Sequence, residues 1–248
     1  MGSNLSSEVT AGTGYAVVKA DDIALMEWVR DRVLDGTSTQ LGMPRDLEGI
    51  RRKLAGVSEA EVIKLRGIPL DGVLVAMLKA FKTSIAEISG NNLFVQRRPL
   101  LMFNVPNLNT ENTEEDERHV PSMSHIDAMS GISPHTMILW APLHDLDDDT
   151  GVWIIDQHRS MHLLNKEKTA GRVMGKNILD INSPDMRGHL VFAPLAFGEA
   201  VIFNGFCLHG SISNTTERSR VCVNFRFQSR DERLFLKSSE FFTPYDLH

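Results

Sequence analysis

"MSHIDAMSGISPHTMILWAPL", residues 123–143, places His125 and Asp127 one residue apart, just ahead of a strand-like run from His135 to Leu143. Alternate residues of an extended segment point to the same side, so the two side chains can reach one ion while Ile126 faces away. The fold must then bring a third ligand from elsewhere in the chain.

Outward from this stretch, short apolar segments recur: 92–106, 151–156, 189–195, 199–205 and 220–228. Turn-forming runs separate them, among them "DLDDDTG", "NSPDMRG" and "SNTTERS". Many short strands with turns between them predict a β-sandwich or barrel. Residues 14–90 read differently: an edge strand at 14–20, then helical periodicity at 21–34, 58–65 and 71–90. Ser58 and Glu61 form a capping-box pattern, and Gly90 a C-cap. The expectation is one domain over 1–248, mainly β with flanking α. Residues 1–13 are a disordered leader, 14–90 mostly helix packed outside, and 91–230 the β-core.

The 248 residues are 42% hydrophobic and 23% charged, which suits a globular protein with a sizeable core. A net charge of −6 argues against a nucleic-acid partner. No apolar run approaches the roughly 20 residues of a membrane span, so no membrane partner is expected. The start lacks the apolar stretch of a signal peptide. Cys207 and Cys222 sit in strand-like segments outside any metal-ligand spacing, and a reducing cytoplasm is the expected compartment. The polar, acidic stretch 107–123 is a loop, with His119 and residues 111–118 as a candidate lid.

The candidate third ligand is His209, in "EAVIFNGFCLHGS". Two histidines and one carboxylate form a facial triad, which leaves coordination positions open and suits non-haem Fe(II). Arg220 follows eleven residues later, on a strand that could return antiparallel to the His209 strand. Its guanidinium could grip the far end of a dicarboxylate that chelates the ion. Arg218 is the rival anchor; the start of the apolar strand at Val221 favours Arg220.

His125, Asp127, the distal His209 with Gly210, Ser211, Asn214 and Thr216, and then Arg220 resemble the Fe(II)/2-oxoglutarate-dependent oxygenases, and most the phytanoyl-CoA dioxygenase-like branch. The resemblance spans about 123–228. It implies a double-stranded β-helix (a jelly-roll, cupin-like core), with Fe(II), 2-oxoglutarate and O2 as cofactor and co-substrates. The implied reaction releases succinate and CO2 and oxidises a C–H bond of a small-molecule substrate, usually by hydroxylation. His125, Asp127 and His209 would hold iron and Arg220 the distal carboxylate. Relatives that halogenate carry a small residue where Asp127 stands, so halogenation is disfavoured. The chain departs from the branch at "DQHRSMH", residues 156–162, where a Pro-Gly-Ser-His block is usual.

Thr136 and Trp140 share a face of the strand after Asp127, and the resemblance puts the co-substrate pocket there; a Thr and a core Trp in a sheet would look the same. Gln96, Arg98 and Asn104 alternate in one phase on an earlier strand. They are candidate contacts, Gln96 and Asn104 for the co-substrate and Arg98 for the substrate, against a solvent-facing edge. Arg226 is a candidate substrate contact or a structural salt bridge. His135, His144, His158, His162 and His189 have no partner at ligand spacing. Other classes remain open: a metal-dependent cupin-type isomerase or lyase, or a metal-binding module, using the same three ligands without 2-oxoglutarate, and a non-catalytic β-sandwich interaction module. Oligomeric state is not legible.

Overall fold

The computed structural model describes residues 4–106, 125–130, 132–146, 151–169, 191–192, 195–211, 214, 216–235 and 241–247. The lid candidate at 107–123 and the strand expected at 189–195, apart from Val191, Phe192 and Leu195, lie outside them.

The leader is not disordered where it is described. Helix α1 (Leu5–Thr10) is capped by Asn4, whose side chain accepts the Ser6 N–H, and its Val9 is fully buried. After the edge strand β1 (Tyr15–Lys19), α2 (Ile23–Leu41) starts on the Asp22 side chain and stops at Gly42 in the left-handed region. Then come α3 (Leu47–Leu54) and α4 (Glu59–Arg66), the latter opening with the Ser58–Glu61 capping box. The helix expected over 71–90 is two: α5 (Val73–Ala80) and α6 (Lys82–Ser89). Asp21 breaks it, because its N–H takes the Ala80 carbonyl and its carboxylate accepts the Thr83 N–H.

The strands are β2 (Asn92–Gln96), β3 (Leu100–Asn104), β4 (Met137–Pro142), β5 (Val152–Ile154), β6 (Val191–Phe192), β7 (Glu199–Asn204), β8 (His209–Ser211), β9 (Arg220–Ser229) and β10 (Phe242–Asp246). The "DQHRSMH" departure opens a helix, α7 (Gln157–Thr169), that periodicity had not flagged; Asp156 accepts the Arg159 N–H at its start. The large antiparallel sheet runs β1-β7-β4-β9-β2-β10, with β3 pairing the first half of β9, and the small sheet runs β6-β5-β8.

Period-2 alternation on β9 divides the interior into layers. Val221, Val223, Phe225 and Phe227 face the helices and join Leu139, Ile202, Met26, Met77 and Phe81 in the main core. The opposite face of the large sheet, with Ile138, Trp140, Val201, Phe203 and Cys222, meets Val152 and Ile154 of the small sheet. The far side of the small sheet buries Trp153 under Leu163 and Leu164 of α7. Helices, large sheet, small sheet and α7 thus stack in that order. No helix among the described residues is long and apolar enough to cross a membrane.

Candidate metal centre and the barrel interior

His125, Asp127 and His209 come together where the chain enters β8. His125 and His209 exchange backbone hydrogen bonds of 3.0 and 3.1 Å in an isolated bridge, and their rings lie 4.2 Å apart. Ile126 turns into the α7 core, so Asp127, at the start of a 3-10 turn (Asp127–Ser130), faces back toward His125. One ligand atom from each residue falls within 4.8 Å of the others. Asp127 and His209 are buried, and His125 is partly exposed.

The protonation states suit cation binding. The Cys207 carbonyl, 3.0 Å from His209 Nδ1, can only accept, so Nδ1 carries the proton and Nε2 keeps its lone pair. Burial, then the neighbouring His125, push the His209 pKa down to about 3, so the ring is neutral near pH 7. Burial alone would raise the Asp127 pKa. The Arg226 guanidinium, helped by the two histidines, overcomes this and holds the carboxyl well below the usual carboxylate range. Arg226 donates from Nη2 to Oδ1 at 3.0 Å and from Nε to Oδ2 at 3.3 Å. Two imidazole nitrogens and a carboxylate oxygen held this way form a donor set that fits Fe(II).

Inside the barrel, Arg220 is 1% exposed. It donates from Nη1 to the Gly151 carbonyl at 2.7 Å and from Nη2 to Ser211 Oγ at 2.9 Å, with its guanidinium 5.0 Å from the Trp140 ring. Ser211 shares a face of β8 with His209, about 6.6 Å along the strand. The expected antiparallel pairing of the Arg220 and His209 strands does not occur. β9 and β8 belong to opposite sheets and face each other across the interior.

The backbone on either side of Arg220 is gripped. Arg51 Nε donates to the Ser219 carbonyl at 3.0 Å, and the Ser219 N–H donates to the Arg51 carbonyl at 2.9 Å. On the other side the Val221 N–H donates to His144 Nε2 at 3.2 Å, while Nδ1 faces the Asp145 carbonyl at 2.7 Å. Burial, then Arg51, bring the His144 pKa down to about 4. Asn214 Nδ2 ties the preceding turn to the Asn104 and Arg218 carbonyls, and Thr216 bonds Asn214 Oδ1.

The other candidates are distributed unevenly. Gln96 Oε1 accepts the Arg226 N–H at 3.2 Å and so supports the guanidinium beside Asp127. Trp140 sits against Arg220. Asn104 lies opposite Arg220 in the β3–β9 register. Thr136 bonds Gln228 Oε1 at 3.4 Å and is linked to the Asp127 turn through backbone: Gly205 N–H donates to Thr136 O, and Ala128 N–H donates to Gly205 O.

Arg98 is not in phase with Gln96 and Asn104. The segment 92–106 folds as two strands, and the turn between them aims Arg98 at the Arg66 and Ile68 carbonyls at the end of α4. Arg218, just before β9, pairs with Glu48 of α3 instead of entering the barrel. Arg226 faces inward, but its partner is Asp127. His135 pairs with Glu232 at 3.4 Å.

His144 is a hydrogen-bonded histidine and not a ligand, as read from the sequence; Arg51 and Asn224 were not singled out there. A signal existed for Asn224: "RVCVNFRFQ" alternates Arg, Cys, Asn, Arg, Gln with Val, Val, Phe, Phe, the pattern of a strand lining a polar interior. None existed for Arg51, which acts across 168 residues of sequence.

No protein-family model matches the chain, and no curated protein matches it. Solved structures do. ThoJ, a non-haem monooxygenase in its apo form, shares 16% identity at a TM-score of 0.55, covering 94% of this chain and 80% of its own. EctD from S. alaskensis with bound Fe shares 12% identity at 0.54, covering 97% and 83%. EvdO2 from Micromonospora carbonacea var. aurantiaca, complexed with 2-oxoglutarate, shares 15% identity at 0.55, covering 99% and 93%. At these identities the likeness is one of fold: the chain is a jelly-roll, cupin-like double-stranded β-helix with helices on its outer sheet.

Proposed function

We propose that the chain is an Fe(II)- and 2-oxoglutarate-dependent oxygenase that oxidises a C–H bond of a small polar metabolite and releases succinate and CO2. One observation carries this reading: two imidazoles and an ionised carboxylate within ligating reach, on the same barrel interior as the buried guanidinium of Arg220. His125, Asp127 and His209 would hold the metal, which supplies dioxygen activation coupled to decarboxylation of the co-substrate. Arg220, with Ser211, would pair with the distal carboxylate. The distance from His209 to Ser211 along β8 suits a five-carbon dicarboxylate. Trp140, against Arg220, and Leu146 belong to the same buried apolar cluster. The solved neighbours containing Fe or 2-oxoglutarate support the assignment. The cytoplasm, being reducing, suits two free buried cysteines and ferrous iron.

The test is anaerobic. The Fe(II) protein titrated with 2-oxoglutarate is expected to develop the weak visible charge-transfer band of a metal-chelated 2-oxo acid, and under O2 to release succinate. His125→Ala and Asp127→Ala should lose iron, whereas Arg220→Met should keep iron and weaken 2-oxoglutarate binding. Iron binding without any 2-oxoglutarate response sinks the reading in favour of a metal-dependent isomerase or lyase on the same ligands.

A further inference from the structure

The inner face of β9 carries Arg220, Cys222, Asn224, Arg226 and Gln228 in alternation. Four of these five are engaged. Arg220 holds Ser211 and Gly151, Cys222 Sγ faces the Met102 carbonyl at 3.7 Å, Arg226 grips Asp127, and Gln228 meets Thr136 and the Glu232 carbonyl. Asn224 differs. Its Oδ1 is buried and has no hydrogen-bond partner among the described residues. A buried amide oxygen left unpaired is costly and marks a place where something outside the chain completes the bonding.

Its position says what that is. Asn224 stands two residues before the arginine that grips Asp127. In the sheet its neighbour on one side is Trp140, whose ring lies under the Arg220 guanidinium. On its other side is Leu100, an exposed apolar residue. A molecule reaching from the triad to Arg220 therefore lies along this strand face. An ionised dicarboxylate offers only acceptors. The two ends of the amide exchange places by a half-turn of the side chain, which puts Nδ2 in the buried position of the unpartnered Oδ1 as a donor.

We infer that Asn224 is a co-substrate-binding residue whose side-chain amide donates a hydrogen bond to the dicarboxylate held between the metal centre and Arg220. This rests on the 2-oxoglutarate reading given above.

The experiment measures 2-oxoglutarate affinity of the Mn(II)-loaded protein by calorimetry, with Mn(II) affinity and melting temperature followed in parallel. Asn224→Leu keeps the size and removes the donor; it is expected to raise the 2-oxoglutarate Kd about five- to tenfold. Mn(II) affinity should not change. Without 2-oxoglutarate the variant should melt at or above the wild-type temperature, because an unpaired polar group has been replaced by an apolar one. Asn224→Asp, which adds a like charge, should weaken 2-oxoglutarate further. If Leu does not fold, Asn224→Ala, which also lacks a donor, answers the same question. A Kd within twofold of wild type in these variants, while Arg220→Met weakens binding, overturns this inference alone. Absence of 2-oxoglutarate binding in the wild type overturns the functional reading with it.

Discussion

Arg226 grips both carboxylate oxygens of Asp127, at 3.0 and 3.3 Å, with the two side chains only 13% and 2% exposed. The pair neutralises a charge that the interior would otherwise expel, and it orients the carboxylate before any metal arrives. Removing one partner of a buried ion pair strands the other. Arg226→Met is therefore expected to destabilise the metal-free protein by about 3 kcal/mol. A divalent cation supplies the missing positive charge, so the rise in melting temperature on adding Mn(II) should be larger in the variant than in wild type. Melting curves with and without Mn(II) check this.

His144 sets an acid limit on the fold. Its ring stays neutral in the native state down to about pH 4, while the unfolded chain takes up a proton near pH 6.5. The native state binds fewer protons in that window, so the stability present above pH 6.5 is lost as pH falls toward 4, by at most about 3 kcal/mol. His209, down to about 3, acts in the same direction in the metal-free protein. Urea midpoints measured from pH 7.5 to 4.5 should fall with acid. In His144→Gln, whose amide oxygen can accept the Val221 N–H, the fall should be shallower.

Gly210, between His209 and Ser211, has no room for a side chain. A Cβ there would lie 2.6 Å from the indole of Trp153, which is fully buried. Gly210→Ala must shift β8 or the indole, at a cost of about 1–3 kcal/mol. Because β8 carries His209 on one side of this residue and Ser211 on the other, metal affinity should fall with stability. Mn(II) calorimetry and thermal melting on the same variant read both.

Arg51 clamps Ser219 through both its side chain and its backbone, one residue before Arg220. Arg51→Met removes the side-chain half, and also one cation from Glu48, which keeps Arg218. The expected loss is about 1–2 kcal/mol of stability. The 2-oxoglutarate Kd should rise with Mn(II) affinity unchanged, and Arg51→Lys should recover part of the affinity.

Local rules account for much of what was legible. The capping box at Ser58, the C-cap at Gly90, the edge strand at 14–20 and the short-strand pattern past residue 90 depend on near neighbours, and each appears in the fold. The His125–Asp127 spacing is also local, although the structure reaches it differently: His125 lies in an isolated bridge to His209 and Asp127 opens a 3-10 turn that faces it back toward His125. Where a distant group competes, the local reading fails. Periodicity over 71–90 is helical throughout, yet Asp21 takes the Ala80 carbonyl and breaks the helix. The "DQHRSMH" block carries too weak a pattern to announce α7, which forms over the Trp153 side of the small sheet.

The sequence by itself determined the strand periodicity, the ligand types and the order in which ligand and arginine follow each other. Only the tertiary structure decided which arginine does what. Arg98, Arg218, Arg220 and Arg226 are chemically equivalent in the sequence, and their positions in the turns and strands send them to helix carbonyls, a surface glutamate, the barrel interior and the metal-ligating carboxylate. A charge in a protein is read through what surrounds it. Burial and partners, set by residues as many as 170 positions away, assign the role.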